Sequence, residues 1–162
     1  MSIEYQGLEE IIEELGKLGN DEKTIEALNK AVALVERKAK QNAPKGELSQ
    51  SIQGKVDGLT GMVYTPVFYA PYVEYGTGLY SDHPMGGRQE VPWVYVEGSG
   101  NATGKKTIHT EQSAKKAVAS LKRQGFDAHM TYGQHPKPFM RPALNENTEE
   151  ILRLFREVIT ND

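Results

Sequence analysis

Gly76-Thr77-Gly78 is the stretch of this chain that comes nearest to a phosphate-cradling loop. A P-loop needs further glycines and a Gly-Lys-Ser/Thr ending, so that successive backbone N–H groups and a lysine face the phosphates. Neither is present here, and a simple turn is the reading the residues favour. Four histidines could ligate a metal: His83, His109, His129 and His135. No two have the i, i+4 spacing of a helical zinc site, and no cysteine exists to complete a set. Asp82-His83 invites a metal reading, but its surroundings are glycine-rich and the histidines read as surface loop residues. Glu74 lies among aromatic residues, where a carboxylate can keep its proton and act as an acid. No second carboxylate stands at a recognisable separation. Glu74 is therefore expected to accept backbone hydrogen bonds from the turn that follows it, or to form an ion pair. A hydrolase pairing Glu74 with His83 or His135 is a weak rival, because nothing names a substrate. No serine sits in a Gly-x-Ser-x-Gly elbow. Lys105, Lys106, Lys115, Lys116, Lys122 and Arg123 form a basic segment that could meet a phosphate backbone. Aromatic residues are scarce there, so base stacking is not suggested and a solvated helix face is the simpler reading. These residues predict no catalytic, cofactor or metal site, and leave a DNA-binding module over 105–123 as the alternative.

Composition narrows the class further. The 162 residues are 38% hydrophobic and 25% charged, inside the globular range and against wholesale disorder. A formal net charge of −3 creates no strong attraction to nucleic acid or anionic lipid. Without cysteine there is no disulfide framework and no thiol nucleophile. The opening Met1-Ser2-Ile3-Glu4 lacks a basic and an apolar region, and no stretch approaches the ~20 apolar residues of a membrane span. A soluble single domain over 1–162, made in a cytoplasm, is the expectation.

The elements follow from periodicity. Leu8, Ile11, Ile12, Leu15 and Leu18 recur at helical steps until Gly19-Asn20. Asp21 can cap a second helix whose stripe is Ile25, Leu28, Val32, Val35 and Ala39, ended by Pro44. Leu48, Ile52 and Val56 share one parity and predict a strand. Asp57-Gly58 and Gly61 mark a turn, and 62–65 is the return strand. Pro71 opens a short helical turn through Tyr72, Val73 and Glu74 that Gly76-Thr77-Gly78 would end. Residues 91–96 read as a strand, and 113–124 as a basic helix. His135 to Pro142 is an extended entry to a last helix carrying Leu144, Ile151, Leu154, Phe155 and Val158. The predicted class is α+β. Helical residues 1–44 and a C-terminal helix over 141–160 pack on one mainly antiparallel sheet from 45–140, into which a long Gly-rich loop, 79–133, is inserted.

Four segments taken together resemble one family. They are Ala43-Pro44 with Gly46-Glu47-Leu48 and Ser51-Ile52; Tyr69-Ala70 with Tyr72-Val73-Glu74-Tyr75-Gly76-Thr77-Gly78; Val91-Pro92-Trp93-Val94-Tyr95; and Lys137-Pro138-Phe139-Met140-Arg141-Pro142-Ala143-Leu144. This order is similar to that of the neck or tail-component family of tailed bacteriophages and prophages, whose genes sit between head-closure and tail-terminator genes. The resemblance runs from about Lys23 to Val158, with 113–124 as an apparent insertion. It implies a virion assembly protein without catalysis, made in the host bacterial cytoplasm and placed at the neck or tail. It would carry no cofactor, its partners would be head-closure or tail-terminator proteins, and it would form a homo-oligomeric ring around the DNA passage, with DNA met only by proximity. Contact residues are expected on the 79–110 loop, namely Tyr80, His83, Arg88 and Trp93, with Tyr75 and Thr77 at its base. Tyr69, Tyr72, Val73, Glu74, Gly76, Pro138, Phe139 and Pro142 are expected to build the turns and core beneath them.

Overall fold

The computed structural model describes residues 21–84, 91–98 and 110–160. The first expected helix, over residues 8–18, lies outside them. The chain divides into two compact units.

In the first unit, helix α1 (Asp21–Asn42) is the central element. Its buried stripe is Ala27, Ala31, Leu34, Val35 and Ala39, with Leu28 half-buried beside it. Three of these five are alanines, whose short side chains let neighbouring elements approach the helix axis. The helix stops at Asn42, two residues before Pro44, as the restriction on the residue preceding proline requires. Helix α2 (Glu47–Ser51) follows. Here the structure corrects the expected strand over Leu48 and Ile52. A step of four residues is even, which suits a strand, and is also one helical turn. The spacing alone therefore fits both states. Leu48 and Ile52 are both buried, one in α2 and one at its end.

Strand β1 (Gln53–Asp57) and strand β2 (Thr60–Tyr64) form an antiparallel hairpin in which Gln53 faces Tyr64 and Asp57 faces Thr60. The two-residue loop Gly58-Leu59 is the length such hairpins favour. The hairpin packs on α1. Gly54 is the point of closest approach: a Cβ there would overlap Val32. Its N–H donates to Glu36 Oε2 at 2.8 Å, so α1 supplies an acceptor to the strand. The hydrogen bond from Lys40 holds the Glu36 carboxyl below the usual range, and the Gly54 N–H acts the same way, against the opposing effect of burial.

The expected single helix over 141–160 is two. Helix α5 (Met140–Asn145) and helix α6 (Thr148–Thr160) are separated by Glu146-Asn147. Side chains at the break satisfy the backbone: Asn147 Nδ2 donates to Ala143 O at 3.0 Å, and Thr148 Oγ1 donates to Asn145 O at 3.1 Å. Such bonds compete with helix continuation. Leu144, expected on the apolar stripe, is 48% exposed, while Phe155 and Val158 of α6 pack with Ala27 and Ala31 of α1.

In the second unit, helix α3 (Ala70–Tyr75) leads through a 3-10 turn, Gly78–Tyr80, toward strand β3 (Trp93–Val96). Helix α4 (Glu111–Arg123) and strand β4 (Ala128–Thr131) follow. Thr110 caps α4, its Oγ1 accepting from Ser113 N at 3.2 Å. Glu111 in the first turn and Lys122 and Arg123 in the last complement the helix dipole. Strands β3 and β4 pair antiparallel, with Trp93 opposite Thr131 and Val96 opposite Ala128. Helix α4 covers this pair through buried Ala114 and half-buried Ala117, Val118 and Leu121.

The class is α+β. In place of one sheet over 45–140, the described strands form two separate two-stranded ladders, β1–β2 and β3–β4. A lone hairpin is marginal in water, and each ladder here gains its apolar cover from one helix of its own unit, α1 or α4.

Phe139 is 1% exposed, so Phe139→Ala should cost about 3–5 kcal/mol, and Ile52→Val at a fully buried site about 0.5–1.5 kcal/mol. Denaturant titration checks both, and a loss below about 1 kcal/mol for Phe139→Ala would contradict its core role.

Candidate functional site

The Gly-Thr-Gly turn is a backbone clasp. Thr77 N–H donates to Gln134 O at 2.9 Å and Leu79 N–H donates to Tyr132 O at 2.9 Å. Gln134 N–H returns a bond to Thr77 Oγ1 at 3.0 Å, and Gln134 Nε2 donates to Tyr72 O at 2.9 Å. Lys137 N–H closes the crossing on Val73 O at 2.8 Å. The two segments touch main chain to main chain. Gly78 has φ +62, and a Cβ on it would overlap the Tyr132 carbonyl. Gly133 has φ +123, and a Cβ there would overlap the Thr77 carbonyl. Only glycine meets both demands, backbone conformation and space. The Thr77 and Leu79 amides, which a phosphate loop would aim at its ligand, are taken by carbonyls of the crossing segment.

Aromatic rings are set around this clasp. Tyr75 stacks on His83 with centroids 4.5 Å apart and planes at 26°, and Asp82 N–H donates to Tyr75 O at 3.1 Å. Tyr80 leans on His135 at 4.0 Å and 32°. His83 and His135 are exposed, as are Phe68, Tyr72, Leu79 and Tyr80. Of the expected contact residues, Tyr75, Thr77, Tyr80 and His83 thus come together at or beside the clasp. Trp93 is half-buried in the β3–β4 ladder, and Arg88 lies outside the described residues. Of the expected supporting residues, Glu74 is 4% exposed and Gly76 is buried. Tyr69 and Val73 are half-buried, whereas Tyr72 is 38% exposed and Pro138 is exposed. Phe139 is buried, and Pro142 sits half-buried inside α5.

The basic segment is seen only in part, since Lys105, Lys106 and His109 lie outside the described residues. On α4, Lys115 Nζ is ion-paired with Glu111 and holds its carboxyl below the usual range. Arg123 Nε donates to Ala119 O at 3.3 Å. Lys116 and Lys122 are exposed, on a helix whose other side covers the ladder. Burial first, and then the Glu111 charge, push the Tyr132 phenol upward. Its hydrogen bond to Glu111 ties the start of α4 to a residue of the clasp.

One cluster has no precedent in the sequence reading. His129 is not a surface loop residue but half-buried in β4, its ring stacked on Tyr95 at 5.4 Å and 27°. Its Nε2 stands 2.8 Å from Asp127 Oδ1 and 3.7 Å from Glu97 Oε2. No linear spacing announces this group, because the pairing of β3 with β4 creates it: Glu97 N–H donates to Asp127 O at 2.8 Å just beyond the ladder.

Gly76-Thr77-Gly78 of this α+β chain is thus spent on holding backbone segments together. Residues 8–76 match the sequence model of a family described as "Bacteriophage HK97-gp10, putative tail-component". The match supports a phage tail or neck family, and with it a structural role in a phage. It takes in the segments around 43–52 and 69–76; those at 91–95 and 137–144 lie beyond it. No curated protein and no solved structure matches the chain. Among the described residues, no helix is long and apolar enough to cross a membrane.

Gly78→Ala and Gly133→Ala should each destabilise the second unit by about 2 kcal/mol or more, since the backbone strain of about 1–3 kcal/mol is joined by overlap with a carbonyl. Gly125 also has positive φ, +87, but a Cβ there meets nothing within 4 Å. Gly125→Ala should cost only about 1 kcal/mol. Equal losses for all three in thermal unfolding would contradict the clasp.

Proposed function

We propose that this protein acts at the head–tail junction of a tailed phage or prophage, in the neck or in tail completion, through protein–protein contacts and without catalysis. The family match over residues 8–76 carries the reading. The clasp supports it. It fixes the base from which Tyr80 and His83 stand exposed, and preorganised aromatic side chains give contact area at low entropic cost. The partners are head-closure or tail-terminator proteins of the same phage. A homo-oligomeric ring is the arrangement that suits the junction, built from head-to-tail contacts that close. Assembly takes place in the host bacterial cytoplasm, and the subunit resides in the neck or tail of the particle. DNA is met by proximity alone.

Light scattering on the full chain, alone and mixed with the head-closure and tail-terminator proteins of the same phage, tests the reading. A ring, or a mass increase with either partner that Tyr80→Ala/His83→Ala weakens, is the expected result. A monomer that ignores both partners would overturn it. Duplex DNA binding that falls steeply with salt would favour the basic segment 105–123 in its place.

A further inference from the structure

We propose that Glu97, Asp127 and His129 form a binding site for a divalent transition-metal ion of the zinc type, placed to pin the open end of the β3–β4 ladder. Each residue offers one ligand atom, and the three atoms lie within 4.8 Å of one another. Around zinc, bonds of ~2.0–2.2 Å put two tetrahedral ligand atoms about 3.4 Å apart. The His129–Glu97 separation of 3.7 Å already fits. The His129–Asp127 separation of 2.8 Å has only to open slightly, and both carboxylates are exposed and free to adjust.

The imidazole distinguishes this group from an ordinary acidic patch. His129 Nε2 is itself shielded from solvent, yet makes no hydrogen bond. It lies at ion-pair distance from Asp127 without the alignment a hydrogen bond needs, and faces the two carboxylates. A shielded, unsatisfied nitrogen is a cost that a metal ion would remove. The ring is also held in place: Tyr95, directly opposite in the ladder, stacks on it. The Glu97 N–H to Asp127 O bond holds the backbones that carry the other two ligands across the same ladder end. The donor set is one nitrogen and two carboxylate oxygens, open to solvent for water as the remaining ligand. It suits zinc, nickel or manganese, and an imidazole disfavours calcium and magnesium. This site is independent of the neck reading, since it rests on the ladder alone.

Isothermal titration of chelator-stripped full-length protein with zinc or nickel chloride at neutral pH is the test. The expected result is saturable one-to-one binding in the micromolar range, with a raised melting temperature and no response to magnesium. His129→Ala should weaken binding at least about tenfold, and so should Glu97→Gln, an exposed change that leaves the fold intact. No binding below millimolar metal would overturn the proposal. So would binding that survives both substitutions, or that is lost in His83→Ala or His135→Ala instead.

Discussion

The second unit depends on one close approach, where Gly76-Thr77-Gly78 crosses the main chain of Tyr132-Gly133-Gln134. Hydrogen bonds run in both directions across it, and neither Gly78 nor Gly133 has room for a side-chain carbon. The crossing joins residues separated by 57 positions along the chain. It therefore closes the loop that carries β3, α4 and β4, and sets where Tyr75, Tyr80 and their histidine partners stand. Glycine-rich loops suggest phosphate binding because they bare their amides. Here the same amides are consumed by the protein's own carbonyls, and the motif becomes architecture.

The first unit is built on a comparable economy of space. Alanines along α1 admit α6 on one side, and Gly54 admits the hairpin. Glu36, itself paired with Lys40, gives the helix surface an acceptor for the Gly54 N–H of β1. Close backbone approach recurs in both units, and it explains why motif positions in this chain are so often glycine, alanine or proline. Such residues contribute little chemistry of their own, which agrees with a structural role in a phage.

Much of this was legible in the sequence. The extent of α1 up to Pro44, the Asp57-Gly58 turn, the Pro71 helical turn and the basic helix each follow from periodicity or turn chemistry within a few residues, whereas of the expected α1 stripe only Val35 and Ala39 are buried and Ile25, Leu28 and Val32 are half-buried, the small Ala27 and Ala31 taking the core side with Leu34. Three features were not. Leu48 and Ile52 are separated by four residues, a spacing common to strand and helix. Strand β4, Ala128-His129-Met130-Thr131, is short and only partly apolar, and becomes a strand by pairing with β3. The break at Glu146-Asn147 lies inside an apolar helical pattern and is set by side-chain bonds to the backbone. The site divides in the same way. The Gly-Thr-Gly turn could be read locally, but its partner strand segment and the Glu97–Asp127–His129 group exist only through long-range pairing.

On the proposed function, this chain works by contact with other phage proteins, through surfaces the clasp holds in place. Amide hydrogen exchange on the free protein and on the protein bound in isolated neck or tail assemblies tests it most directly. The account predicts strong protection of Thr77 and Leu79 in both states, with added protection over residues 79–84 on assembly. Unprotected Thr77 and Leu79 amides in the free protein, or no change at any residue on assembly, would contradict it.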